Sequence, residues 1–199
     1  TLIFAFTVHE FAHAWAANQL GDQTPSLNGR LTLNPLAHLD PIGSLLLLMS
    51  GFGWAKPVPV NPNSLRRRTP AGMMLVAAAG PVSNLLLAII AAIPFQLGLL
   101  FPSFQSESLL PSLSFFLSEF IFINLILLFF NMIPVFPLDG EKVAEYFLPP
   151  SGQDTLQRLR PYGPMILLAL LFLLPMADIN IFTYLVGWPA NQIFILLVL

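Results

Sequence analysis

The 199-residue chain has no cysteine, which excludes disulfides and any thiolate-ligated metal; a metal site here must draw on His, Asp or Glu. Charge is nearly as scarce, at 9% of residues against about 25% in a soluble globular domain. A net charge of -2 offers no basic surface to a nucleic acid, so no nucleic-acid partner is expected. A charged start followed by a small-residue cleavage site is also missing, so no signal peptide is read. The chain opens at Thr1 without a methionine, directly inside an apolar run, and reads as a fragment or processed form. Hydrocarbon is what it has in plenty. Hydrophobic residues make up 56%, Phe occurs 18 times and the mean hydropathy is +0.76, the composition of an integral membrane protein. The 19 Pro and 12 Gly imply that many of its helices are broken or capped.

Crossing about 30 Å of hydrocarbon takes roughly 20 apolar residues. About five runs reach that length: residues 1–20, 71–101 (with Pro94 expected to end or kink the helix), 112–133, 159–176 and 181–199. The run at 41–54 would reach only about 21 Å as a helix. Its status decides the topology. Outside the spans the cations are Arg30, Lys56, Arg66, Arg67, Arg68, Lys142, Arg158 and Arg160, while loops 102–111 and 177–180 have none. If 41–54 dips in and returns, every positive charge falls on one side, which the positive-inside rule makes cytoplasmic. The run is therefore read as re-entrant or interfacial. Around it, the alternation in Arg30-Leu31-Thr32-Leu33 and the Pro-spaced Lys56-Pro57-Val58-Pro59-Val60 suggest short extended, β-like segments. Non-helical backbone at membrane depth survives only where protein buries it or it lines a wet cavity, so these segments are expected to rim one. The fold class is an all-α polytopic membrane protein. One membrane-embedded domain, 1–199, accounts for the chain, with a core at 1–148 and accessory C-terminal helices at 155–199.

Into the first run the stretch "TVHEFAHAWAANQLGD", Thr7 to Asp22, puts two histidines and a glutamate. Each ionisable group at the bilayer centre costs on the order of 2.5–3.5 kcal/mol, so such groups are functional candidates. His9-Glu10-Phe11-Ala12-His13 is an HExxH pattern. On a helix the two imidazoles lie about 40° apart and point to one place, with Glu10 about 60° from His13, beside that place but not on it. Two ligands and a neighbouring base suit zinc with an activated water. The alternative, two unrelated histidines hydrogen-bonded inside a bundle, leaves three ionisable groups without a shared compensation.

A hydrolytic zinc site needs a third protein ligand and one open position. Without cysteine that ligand is an Asp, a Glu or His38. Asp139, in "NMIPVFPLDGEKV", follows a span that Pro134 and Pro137 terminate, and Gly140 after it permits close backbone approach. In the one-sided topology it can meet His9 and His13. An acid favoured by the dipole at a helix N-terminus is the other reading of Asp139. His38 and Asp40, in "NPLAHLDP", are expected to cap and order the rim loop.

"HEFAH" on a membrane helix, "GPVSN" (Gly80 to Asn84) in a second and "NMIPVFPLDG" (Asn131 to Gly140) after a third together resemble the site-2 protease family of intramembrane zinc metalloproteases, peptidase family M50. "GRLTLNPLAHLDPIG" and "GFGWAKPVPVNP" resemble its compact bacterial branch without a PDZ or CBS domain. The resemblance covers Thr1 to Phe147, and the last two spans carry no matching motif. It implies that His9, His13 and Asp139 bind one zinc per chain and that Glu10 is the catalytic carboxylate. It further implies a core of three transmembrane helices opening to the cytoplasmic side of a bacterial plasma membrane. The implied substrates are single-span or membrane-tethered proteins.

In such a site Glu10 would take a proton from the attacking water and return it to the leaving amine. The developing oxyanion needs a second donor, and Asn84, a polar amide in an apolar span, is the catalytic candidate; an interhelical hydrogen bond is the other reading. Asn131 is expected to tie down the broken backbone near Pro134, and Asn124 and Glu119 to serve packing or an outer interface. The rim segments could bind unwound substrate by strand addition. Arg66, Arg67 and Arg68 read as a topology anchor touching lipid headgroups. Two other classes compete: a membrane metal or proton transporter, which leaves Glu10 without a purpose, and a non-catalytic scaffold stapled by zinc, whose fourth ligand His38 could supply.

Overall fold

The computed structural model describes residues 1–41, 43, 56–104 and 111–199. The run at 41–54 expected to be re-entrant lies almost wholly outside the described residues. Helix α1 (Leu2–Gln19) leads through the short α2 (Thr24–Leu27) and a 3-10 turn, Pro35–Ala37, to α3 (Pro62–Arg68). Then come α4 (Gly72–Gln96), α5 (Leu113–Asn131), α6 (Asp139–Phe147), α7 (Pro150–Met176) and α8 (Thr183–Val198). Among the described residues there is no sheet.

Local chemistry sets several of these boundaries. Asn61 caps α3 by accepting from the backbone N–H of Asn63 at 3.0 Å, with Pro62 at the first helical position where its missing N–H costs nothing. Ser112 caps α5 through the N–H of Phe115 at 3.1 Å. Pro94 does not break α4 but the helix ends two residues later, closed by Gly98 at φ 67, a conformation only glycine adopts freely. Helix α7 runs straight on from the amphipathic 150–159 stretch into the apolar one, through a 3-10 turn at Arg160–Tyr162 and a π turn at Ala169–Leu173.

Helix α4 is the central post, packed against α1, α3, α5, α6 and α8. Its buried residues, Gly72, Val76, Ala77, Gly80, Asn84, Ala88, Ala91, Ala92 and Phe95 among them, recur at three- and four-residue steps and are mostly small. Small side chains let helix axes approach closely, which is how helices associate where lipid removes the hydrophobic drive. The opposite face of α4, with Val82, Leu86, Ile89, Ile90 and Ile93 exposed, is the face for hydrocarbon. Ala88, Ala92, Ile121, Leu125, Ala190 and Phe194 form the shared core of α4, α5 and α8.

Three helices are long and apolar enough to cross a membrane among the described residues: α4, α5 and α7. The two other expected spans are helices too, for physical reasons short of that standard. His9, Glu10 and His13 dilute the apolar character of α1, and α8 at 1.5 Å per residue reaches only about 24 Å. The segments expected as β-like rim pieces are irregular chain, with a bend at Leu31 and Thr32 and no strand among the described residues. Their polar groups are committed locally: Lys56 N–H donates to the His38 carbonyl at 2.8 Å, His38 Nε2 pairs with the Thr32 carbonyl at 2.8 Å, and the buried Arg30 guanidinium donates to the Ala37 carbonyl. Asp22, 1% exposed, ties the end of α1 to the start of α3 by accepting from Asn61 N–H at 2.6 Å and from the Thr24 hydroxyl at 2.6 Å.

Arg30→Met should therefore loosen the 30–40 rim. A buried donor set lost in this way costs about 1–3 kcal/mol, read as a lower unfolding midpoint in detergent and faster proteolytic nicking between residues 31 and 40. Unchanged nicking would show that Arg30 does not hold the rim.

Candidate metal centre

The HEFAH segment stays helical through the middle of α1, so His9 and His13 stack one turn apart with ring centroids 4.6 Å apart, edge to face. Both are buried, at 3% and 8% exposure. Asp139 comes from far along the chain, as the first residue of α6 after a stretch of turns from Met132 to Leu138 that holds Pro134 and Pro137. Gly140 allows this approach: a Cβ there would stand 2.3 Å from the Met132 carbonyl oxygen. The result is a triangle of donor atoms. His9 Nε2 lies 3.1 Å from Asp139 Oδ2, His13 Nε2 lies 3.3 Å from it, and the two imidazole nitrogens are 3.0 Å apart.

Tautomers decide what this triangle can be. His9 Nδ1 faces Asn84 Oδ1 at 2.7 Å and His13 Nδ1 faces the Val76 carbonyl at 2.7 Å. Both partners are acceptors, so both Nδ1 atoms carry the hydrogen and both neutral rings turn a bare Nε2 lone pair inward. Asp139 Oδ2 is buried without a hydrogen-bond partner. Three lone pairs facing one another need a proton or a cation between them. Ligands of a tetrahedral ion with bonds of about 2.0–2.1 Å stand about 3.3 Å apart, so two imidazoles and a carboxylate at this spacing fit zinc. His9, His13 and Asp139 are also the one group of three metal-capable side chains within ligand distance among the described residues. The wall of the centre is backbone: a Cβ on Gly80 would sit 2.4 Å from His13 Nε2 and 2.6 Å from His9 Cε1.

Glu10 is half-buried and makes no hydrogen bond or ion pair among the described residues. Asn84 is fully buried beside His9, and it spends one amide hydrogen on Asn124 Oδ1 at 2.8 Å. His38 and Asp40 stay in the rim, Asp40 accepting from the Gly43 N–H at 2.8 Å. Asn131 donates back to the Leu127 carbonyl of its own helix at 3.0 Å instead of bracing the broken segment.

Two features escaped sequence reasoning. Asn124, expected to serve packing or an outer interface, is fully buried in the packing and makes with Asn84 the interhelical hydrogen bond that was the other reading of Asn84; the partnership itself is what went unnamed. The available signal was the pairing of two lone amides in neighbouring spans, each of which needs a partner in lipid. The other is a clamp holding α6 to α7: Glu141, 2% exposed, pairs with Lys142 at 3.2 Å and with the Arg160 guanidinium, and Glu145 pairs with Lys142 at 3.0 Å. Burial by itself would raise the Glu145 carboxyl, but the hydrogen bond and charge of Lys142 and the charge of Arg160 outweigh it and hold it below the usual carboxylate range. Because the folded value lies below the unfolded one, this pairing stabilises α6 at neutral pH and is lost as the pH falls through the folded value.

An α-helical membrane protein with a centre of two histidines and one carboxylate is the class that fold and site define. A model of peptidase family M50 matches residues 96–174. The chain is 44% identical over 181 residues to "Putative zinc metalloprotease YwhC" of Bacillus subtilis, an alignment covering 89% of this chain and 80% of that protein. It is 29% identical to "Putative zinc metalloprotease Rip2" of Mycolicibacterium smegmatis and 30% identical to the protein of that name in Mycobacterium tuberculosis H37Rv, covering 85% and 87% of this chain and 64% and 65% of those proteins. No solved structure gives a significant match. The chain belongs to peptidase family M50, among membrane zinc metalloproteases.

Gly80→Ala tests the wall of the centre. The added methyl must displace one or both imidazoles, and zinc affinity should fall by about tenfold or more, measured by competition with a chromogenic chelator, while helical content by circular dichroism is unchanged. Full zinc affinity in the variant would contradict the packing described here.

Proposed function

We propose that the chain is an intramembrane zinc endopeptidase that hydrolyses peptide bonds in or near the transmembrane segments of single-span or membrane-tethered proteins. The observation that carries this reading is the convergence of the His9, His13 and Asp139 lone pairs beside an uncommitted Glu10. A bound zinc ion supplies Lewis acidity, which brings the pKa of a coordinated water toward about 7 and polarises a carbonyl. His9, His13 and Asp139 would hold the ion, three protein ligands being the number a hydrolytic zinc site takes. Glu10, next to His9 on the same helix, accepts the proton of the attacking water and passes it to the leaving amine. Asn84, the sequence's candidate for the oxyanion donor, lies behind His9 on its Nδ1 side and donates to Asn124, so its role in this reading is to orient His9.

A peptide bond inside a helix is shielded and hydrogen-bonded, so the substrate has to unwind before it is cut. The rim at 30–33 and 56–60, whose alternation and proline spacing suit an extended edge, would offer backbone beside which an unwound strand can lie. With 41–54 re-entrant, every Lys and Arg outside the spans falls on one side, which supports a centre that opens to the cytoplasmic side of a plasma membrane. A zinc-stapled scaffold would need a closed fourth position. His38, its candidate ligand, instead holds the Thr32 carbonyl in the rim.

Co-expression with a panel of tethered single-span proteins tests the reading directly. Glu10→Gln should keep one zinc per chain and lose about 10²–10⁴-fold in cleavage; cleavage at the wild-type rate would exclude Glu10 as the base, and metal transport surviving in the variant would favour a transporter. Replacing Leu31 and Thr32 together with proline should abolish cleavage at normal zinc content, and undiminished cleavage would remove the strand-addition step.

A further inference from the structure

The hydrogen bonds behind His9 have a direction, and that direction starts at a main-chain carbonyl two helices away. Phe120 O can only accept. Asn124 Nδ2 donates to it at 2.8 Å, which turns Asn124 Oδ1 toward Asn84. Asn84 must then present Nδ2, at 2.8 Å, and its Oδ1 is left facing His9 Nδ1 at 2.7 Å. An acceptor at that place requires hydrogen on Nδ1, so Nε2 is bare and aimed at Asp139. Asn84 and Asn124 are fully buried and His9 is 3% exposed, so no water competes for any of these groups.

We infer that Asn124 is a positioning residue of the metal centre: acting through Asn84, it fixes the metal-binding tautomer of His9 from α5, a helix that contributes no metal ligand. The inference rests on the metallopeptidase reading for its purpose, but its physical content concerns the imidazole alone. Amides suit this task in a membrane better than the carboxylates that often orient metal-bound histidines. A divalent cation together with the Asp139 and Glu10 carboxylates has no net formal charge. A carboxylate at position 84 would leave an uncompensated negative charge in a medium of low dielectric, where such a charge is expensive. The two amides pass on orientation while adding no charge. They also couple the seating of α5 against α4 to the geometry of the centre, because either amide must break its bonds if the two helices separate.

The relay predicts opposite outcomes for two substitutions of similar size. Asn124→Leu removes the acceptor and leaves the Asn84 amide free to reverse. Asn124→Asp keeps it, since a carboxyl in these surroundings stays protonated, donating to Phe120 O and accepting from Asn84. Full-length protein in detergent micelles, ¹⁵N-labelled at histidine and stripped of metal, is read by imidazole nitrogen shifts, and the zinc-loaded form by chelator competition with Zn²⁺. Wild-type protein and Asn124→Asp should show His9 as the Nδ1–H tautomer, with zinc affinities within about threefold of each other. Asn124→Leu should show mixed tautomers and about 10–100-fold weaker zinc binding. A wild-type His9 found as Nε2–H would overturn the inference whether or not any variant folds. So would an Asn124→Leu protein with one tautomer and wild-type affinity, or an Asn124→Asp protein as impaired as Asn124→Leu. None of these measurements depends on peptide cleavage, so an enzyme inactive on every substrate tried would leave the relay standing, and a failed relay would leave the peptidase reading to its own test.

Discussion

Three lone pairs pointed at one another in a protein interior are the constraint on which this structure turns. His9 Nε2, His13 Nε2 and Asp139 Oδ2 stand 3.0 to 3.3 Å apart with their own hydrogens directed elsewhere. Left empty, the arrangement is repulsive and poorly solvated; around a cation it is a coordination shell. Much of the architecture serves to keep it so. Helix α4 backs the imidazoles with the bare Cα of Gly80, takes one Nδ1–H on the Val76 carbonyl and the other on Asn84. The proline-rich turns after α5 lower the start of α6 onto the centre, and Gly140 lets that start press against the Met132 carbonyl. On the far side of α6, the Glu141, Lys142, Glu145 and Arg160 network fastens the helix to α7.

The three side chains that converge, His9, His13 and Asp139, were legible in the sequence because each violates a local rule. Ionisable groups in an apolar run, spaced by four, have few purposes, and a carboxylate between two prolines and a glycine marks a backbone bent for a reason. Most helix positions were legible because unbroken apolar length leaves the backbone no partner but itself; the exception is α7, which begins at Pro150, nine residues before its apolar run, because its first turns are amphipathic. Pro94 shows the limit of a residue rule, since the helix absorbs it for two residues until Gly98 provides the stop.

What could not be read was relational. Asn124 looks like an isolated amide until α4 and α5 are brought side by side with Asn84 at the matching level. Glu141 looks like one more charge at a helix start, favoured by the dipole, until Arg160 approaches from nineteen residues on. In both cases the residue type announces that a partner is required, and only packing names it. The rim shows the reverse. Alternation and proline spacing pointed to extended chain, but Leu31 and Thr32 bend, the Thr32 carbonyl and the Lys56 N–H and carbonyl pair with His38 and Arg30, and no ladder forms among the described residues.

The central claim, that a single zinc ion is held by two histidines of α1 and a carboxylate from the start of α6, is open to X-ray absorption at the zinc edge on the purified full-length protein. The account predicts one zinc per chain with no sulfur scatterer, nitrogen and oxygen ligands at about 2.0–2.1 Å, and the multiple-scattering signature of two imidazoles. An active protein without zinc, or a bound metal surrounded by oxygen with no imidazole signature, would contradict it.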